Sequence, residues 1–154
     1  MGPRILAHRG ASAQYPEHTR AAYVQALLDG ADGVEGDVHL TRDGHLVLHH
    51  DAQLGRTSDG RGPISSHTLA ELRRLDFVSW KGVEIPVSHG GPHEQLLTLP
   101  ELLERFGDRM DIGIGTVTDP SDLATAVRQG AHYIVTPITR ADLLEAAAEA
   151  GIAI

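Results

Sequence analysis

From Asp111 onward the chain alternates short apolar runs with helix-length stretches closed by glycine, and no other feature restricts its fold as strongly. Asp111 to Gly115 reads as a strand, and a helix opens at Pro120 and stops at Gly130. Tyr133 to Thr136 reads as a strand, and a helix from about Arg140 stops at Gly151 ahead of Ile152-Ala153-Ile154. Proline just inside a helix start and glycine just past its end are the positions where each residue costs least. Repeated strand–helix units of this length bury their apolar faces by laying the strands parallel and crossing back with the helices. The front of the chain follows the same rule. Ile5 to His8 is an apolar run ending in His-Arg-Gly, and after a loop containing Pro16 the segment from Thr19 to Asp29 has helical spacing, with Tyr23, Ala26 and Leu27 on one side and Gly30 as the stop.

Between these two parts the period changes to two. From Gly33 to Leu40, Val34, Val38 and Leu40 share one parity and Glu35, Asp37 and His39 the other, which predicts a strand. Asp43-Gly44 marks a tight turn into a second alternating run, Leu46 to His50. A two-residue turn there pairs 42 with 45, 40 with 47 and 37 with 50, setting Asp37 opposite His50. Thr68-x-x-Glu71 and Thr98-x-x-Glu101 both have the form of capping boxes, the second opening a helix through Leu99, Leu102, Leu103 and Phe106 to Gly107. About six strands are expected in total, all in one domain spanning residues 1–154, since 154 residues with 41% apolar side chains suffice for a single core.

The net charge of −8 argues against nucleic acid or an anionic lipid surface as partner, because both require clustered Lys and Arg. With no cysteine, a metal would have to be held by carboxylates, imidazoles or carbonyls. Neither a leader pattern at the start nor a membrane-length apolar run is present, so a cytoplasmic, soluble chain is expected.

Glu35 and Asp37, two apart on a strand, direct both carboxylates to one face, an arrangement that is costly unless a cation sits between them. His8, at the end of the first strand, lies where α/β proteins keep reactive groups. Taken alone, Glu-x-Asp is more often just the wet side of a half-buried strand. The default for His18, His39, His45, His49, His67, His89, His93 and His132 is the surface, and for Trp80 it is packing. A metal pair at His89 and His93, in a Gly-Pro loop, has no helix to fix its spacing.

Five blocks in order tip the balance: Ala7-His8-Arg9-Gly10-Ala11-Ser12, Pro16-Glu17-His18-Thr19, Gly33-Val34-Glu35-Gly36-Asp37-Val38, Thr41-Arg42-Asp43-Gly44 and His49-His50-Asp51, continuing through Leu54-Gly55-Arg56-Thr57-Ser58-Asp59-Gly60. They resemble the glycerophosphodiester phosphodiesterase family over about residues 4–104. The resemblance implies a TIM-barrel-like (β/α) fold, here incomplete with about six of eight strands, and a metal-dependent hydrolase releasing glycerol 3-phosphate and an alcohol from a small glycerophosphodiester. It implies His8 and His50 as the acid–base pair, Arg9 as a phosphate contact, Glu35 and Asp37 as ligands of Mg²⁺ or Ca²⁺, and Glu17 as a motif position beside the site.

The pattern breaks at Ile112-Gly113-Ile114-Gly115, where such enzymes carry Ile-Glu-Ile-Lys. From Gly113 the chain resembles instead the 2-keto-3-deoxy-6-phosphogluconate aldolase family, through Gly115-Thr116-Val117, Gly130 to Pro137 and Ala150-Gly151-Ile152, but without that family's Schiff-base lysine; the lone Lys81 lies in a loop. A junction between two barrel fragments near residues 110–113 accounts for the change. Three expectations follow: an impaired phosphodiesterase, its hydrolysis raised by Gly113→Glu with Gly115→Lys; alternatively, a non-catalytic half-barrel holding phosphate at Gly115-Thr116 and the next helix N-terminus, or an inert half-barrel that exists only as a partner or fragment; and an open sheet edge covered by a loop, by a second copy or by a missing piece.

Overall fold

A computed structural model of the chain describes residues 2–154. Four parallel strands form its centre: β1 (Leu6–His8), β2 (Gly33–Gly36), β5 (Asp111–Ile114) and β6 (Tyr133–Ile134), side by side in the order β1-β2-β5-β6. The strands β3 (Val38–Leu40) and β4 (Leu46–Leu48) make a separate antiparallel ribbon. The expected six strands are therefore present, divided four and two, and the fold is an α/β, TIM-barrel-like sheet that stays open.

The helices fall where the caps predict. α1 (Arg20–Leu28) follows Thr19, whose hydroxyl accepts from the Ala22 N–H, and both α2 (Leu69–Leu72) and α3 (Leu99–Phe106) open with complete capping boxes, Thr68 with Glu71 and Thr98 with Glu101. α4 (Pro120–Arg128) and α5 (Ala141–Ala150) complete the βα units. Register decides which residues meet which layer. Val34 pairs with Ile112, and Ile114 with Ile134; these four side chains are buried on the helix side with Tyr23, Leu99, Leu102, Phe106, Leu123 and Leu143. The alternate row, His8–Glu35–Gly113–Tyr133, points to the opposite face. A smaller core of Val47, Leu54, Ile64, Leu72, Phe77 and Leu96 supports the ribbon from below.

Two expectations need correction. The predicted strand Gly33–Leu40 breaks at Asp37, because the chain leaves the parallel sheet there to pair with β4. The turn also has three residues rather than two: Thr41 and His45 close it through Thr41 N–H to His45 O at 2.8 Å, with Gly44 at φ +87°. A left-handed third residue is the usual way such a loop returns the strand. Leu40 consequently pairs with Leu46, and the residue bonded across from Asp37 is His49, through its N–H at 3.0 Å, not His50.

Candidate active site

The C-terminal ends of β1, β2 and β5 deliver the polar groups to one edge of the sheet. His8 closes β1, and its Nε2 stands 3.7 Å from Glu35 Oε2. The chain then turns through Arg9 at φ +60°, pinned by its N–H on Glu35 O at 2.9 Å, which brings the guanidinium Nε to 3.7 Å from Asp37 Oδ2. His8, Arg9, Glu35 and Asp37 thus meet as expected, although Glu35 belongs to β2 and Asp37 to the break after it.

His50 arrives from the far end of β4 and adds favourable charge to both Glu35 and Asp37. Its Nδ1 lies 2.7 Å from Asp51 Oδ1. Arg56 grips Asp51 through Nε at 2.7 Å and Glu17 through Nη2 at 2.6 Å, while Arg9 Nη1 donates to Glu17 at 3.2 Å. An unbroken chain of hydrogen bonds therefore runs from His50 through Asp51, Arg56 and Glu17 to Arg9. The Arg56 guanidinium holds the Asp51 carboxyl well below the usual range; it also outweighs the burial that would raise Glu17.

The two central carboxylates differ. Burial and the neighbouring Asp37 push Glu35 up to about 7, against a partial offset from Arg9, and its buried Oε2 has no hydrogen-bond partner among the described residues. Burial also works against ionised Asp37, but hydrogen bonds from His18 Nε2 at 3.1 Å on Oδ2 and Thr116 Oγ1 at 2.9 Å on Oδ1 outweigh it and hold its pKa down. His18 is only 3% exposed, and burial lowers its pKa. A neutral ring with Nε2 donating to a carboxylate must accept at Nδ1, which it does from the Tyr23 hydroxyl at 2.9 Å.

His18 was expected at the surface, and this is a correction; the block Pro16-Glu17-His18-Thr19 was the signal that contained it. His49 is likewise buried rather than exposed, tied by Nδ1 to Asp51 O at 2.7 Å and by Nε2 to Thr57 at 2.9 Å, and His89 is buried against Gln25. Trp80 is 41% exposed, with Lys81 Nζ 5.5 Å above its ring, so it packs less than expected. His93 is exposed while His89 is buried; among the described residues no group of three or more His, Asp or Glu side chains is placed to hold a metal ion.

The space over Gly113 in β5 and over Gly115 just beyond it is filled from outside. A Cβ on Gly113 would lie 2.1 Å from Cε2 and Cζ of Tyr133, whose hydroxyl crosses the strand to donate to Val34 O at 2.8 Å. A Cβ on Gly115 would lie 1.7 Å from Glu35 Oε1. Tyr133 and the Glu35 carboxylate occupy the space that larger residues would claim there. The alternative anion site at the start of α4 is also taken: Asp119 caps it, accepting from the Ser121 and Asp122 N–H groups at 2.8 and 3.1 Å.

Glu35 gives the metal-free chain a pH dependence of defined sign. Its carboxyl moves from 4.5 to about 7 on folding, so between those values the folded state binds the extra proton and stability falls as pH rises. Solvent screening keeps the effect below the roughly 3 kcal/mol of the full shift. Burial lowers the pKa of His18 and of His49, whose contributions rise with pH over the same range. Urea unfolding in EDTA at pH 5 and pH 7.5 is therefore read as a difference: the change should be more destabilising in the wild type than in Glu35→Gln, and equal changes would contradict this ionisation.

No helix is long and apolar enough to cross a membrane among the described residues. The chain is 57% identical over 102 residues to "Probable glycerophosphodiester phosphodiesterase 1" of Mycobacterium tuberculosis, a match covering 66% of this chain and 36% of that protein. The glycerophosphodiester phosphodiesterase of Agrobacterium tumefaciens superposes at TM-score 0.75 with 30% identity, over 96% of this chain and 64% of that one. A phosphodiesterase of Oleispira antarctica in complex with the product sn-glycerol-3-phosphate superposes at TM-score 0.72 with 31% identity, over 96% and 62%. The chain spans only about two fifths of the length of the curated relatives it matches. Residues 8–125, which carry the whole cluster from His8 to Thr116, match the Glycerophosphoryl diester phosphodiesterase family, and the chain belongs to it.

Proposed function

We propose that the chain holds the front part of a metal-dependent phosphodiesterase site that hydrolyses glycerophosphodiesters to glycerol 3-phosphate and an alcohol. The observation that carries this reading is the meeting of two imidazoles, one guanidinium and two carboxylates at one strand edge, with Glu35 Oε2 and Arg9 Nε buried and unpartnered among the described residues. Such atoms are costly unless a ligand completes them.

The donor set fits a hard divalent cation, Mg²⁺ or Ca²⁺. Glu35 and Asp37 repel one another without it, and Mg²⁺ in particular is commonly held by one or two carboxylates, with waters and substrate phosphate completing the shell. When bound, the cation neutralises charge on the phosphoryl oxygens. Arg9 sits beside the carboxylates, its guanidinium placed to meet a phosphate oxygen, and Glu17, held in turn by Arg56, fixes its direction. His8 at the end of β1 and His50 two residues beyond β4 flank the carboxylates. One removes the proton of the attacking nucleophile and the other returns a proton to the leaving alkoxide. The product seen in the Oleispira relative is the compound expected to be released.

Coupled detection of glycerol 3-phosphate from a soluble glycerophosphodiester tests the reading. Turnover in Mg²⁺ or Ca²⁺ that EDTA abolishes and restored cation recovers is expected; turnover indifferent to EDTA would overturn the cation's role. The same reading has the chain working in the cytoplasm on a dissolved diester, and its 13 Lys and Arg against 21 Asp and Glu suit that better than an anionic lipid surface.

The stretch from Gly113 to Ile154 we read as an aldolase-type fragment joined near residues 110–113. β5 lies across that join and pairs with both β2 and β6, so the two parts share one core. We also propose a second copy of the chain on the open side of the sheet. β1 has no partner on its outer edge among the described residues, and beyond β6 there is only the bridge from Tyr133 to Ala153. A groove of about 590 Å³, lined in part by Leu6, Val135, Ile138, Leu144 and Ile154, runs beside that edge. Two four-stranded halves supply the strand number of a closed barrel. Sedimentation equilibrium should give twice the 16.5 kDa chain mass, and a monomer at micromolar concentration would refute the pairing.

A further inference from the structure

Among the described residues four that are not glycine adopt positive φ: Arg9 at 60°, His18 at 60°, Glu94 at 56° and Thr116 at 58°. Three of these four place a polar atom on the same carboxylate. Arg9 Nε lies 3.7 Å from Asp37 Oδ2, His18 Nε2 3.1 Å from Oδ2, and Thr116 Oγ1 2.9 Å from Oδ1. Left-handed backbone is unfavourable for any side chain with a Cβ and most unfavourable for a β-branched one, so Thr116 bears the greatest strain of the set. Strain of this kind persists only where its surroundings hold it.

Thr116 follows Gly115, and the pair acts in sequence. Gly115 lacks the Cβ that would strike Glu35 Oε1, so the Glu35 carboxylate can lie over the end of β5. The left-handed turn at the next residue then brings the Thr116 hydroxyl back onto Asp37. With Oδ1 held by Thr116 and Oδ2 by His18, Asp37 has one orientation beside the Glu35 carboxylate, the two meeting over Gly115. Thr116 is itself exposed, so core packing does not account for its side chain.

We propose that Thr116 is a positioning residue for the cation site: its hydroxyl orients Asp37 so that only two carboxylates suffice to bind a divalent ion. This rests on the assignment of Glu35 and Asp37 as cation ligands. Groups that hydrogen-bond a metal ligand from behind typically contribute about 10–100-fold to metal affinity.

The test is calorimetric titration of the EDTA-stripped, dialysed full chain with Mg²⁺ and with Ca²⁺, in wild type, Thr116→Ser, Thr116→Val and Thr116→Gly. Serine keeps the hydroxyl and should bind close to wild type. Valine keeps the shape and branching without the hydroxyl and should bind about 10–100-fold more weakly. Glycine relieves the left-handed strain, so its thermal midpoint should not fall below that of valine, yet it should bind as weakly as valine. That combination separates lost positioning from lost folding. Wild-type affinity in valine or glycine, or failure of serine to rescue, overturns the proposal and leaves the two-carboxylate site standing. A wild type that binds neither cation overturns both.

Discussion

Replacing His50 with alanine is expected to slow glycerol 3-phosphate release by about 10²–10⁴-fold, the usual contribution of one proton-transfer group, while the thermal midpoint stays close to wild type. The argument rests on what holds the ring. Asp51 binds Nδ1 at 2.7 Å, which leaves Nε2 without a partner among the described residues, and Arg56 locks Asp51 with two hydrogen bonds of 2.7 and 3.0 Å. A carboxylate on one imidazole nitrogen fixes the tautomer and orients the other nitrogen for proton transfer. The side chain is 40% exposed, so truncating it removes little packing. Asp51→Asn should follow His50→Ala part of the way, since the amide can present N–H to the ring and favour the wrong tautomer. Initial rates beside thermal melts decide the point: a rate within a few-fold of wild type would exclude His50 from the chemistry.

Gly113→Glu, the change that sequence comparison recommends for regaining a third carboxylate, is expected instead to destabilise the chain. Its Cβ would fall 2.1 Å from the Tyr133 ring, and the ring is pinned by its hydroxyl on Val34 O. Forcing extra atoms into a filled site costs about 1–3 kcal/mol, and a further buried carboxylate beside Glu35 adds like-charge repulsion. In a chain of this size each kcal/mol lowers the midpoint by roughly 2–4 °C, so a fall of about 2–12 °C is expected in EDTA. Tyr133→Ala opens the space, and the double variant should recover part of the loss once Mg²⁺ or Ca²⁺ is added. An unchanged midpoint in Gly113→Glu alone would mean that Tyr133 swings aside freely. Gly115→Lys meets the same objection from Glu35 Oε1 at 1.7 Å.

These two cases mark how far the sequence can be read. The βα alternation, the Thr98 and Thr68 capping boxes and the glycine stops are local chemistry, and each helix begins and ends near where they indicate. His8, Arg9, Glu35 and Asp37 were legible because they lie at the ends of adjacent parallel strands, where register brings them together. The slip at the hairpin came from one residue: Gly44 takes a left-handed conformation at the third position of the loop, and a one-residue shift exchanges the partner of Asp37. His18 lies in a loop with no period to assign a face, and only the turn at Arg9, whose O accepts from the His18 N–H at 3.1 Å, carries it inward. Tyr133 and Gly113 are neighbours across two strands, and no local pattern ties a ring to a gap twenty residues before it.

The central claim is that an open half-barrel holds one organised cation site built on Glu35 and Asp37, and thermal unfolding followed by circular dichroism addresses it most directly. A ligand that binds only the folded state raises the midpoint, and by more the tighter it binds. A cooperative melt in EDTA, a higher midpoint in excess Mg²⁺ or Ca²⁺, and no such rise in Glu35→Ala are the predicted results. No cooperative transition, or an equal rise in wild type and Glu35→Ala, would contradict the account.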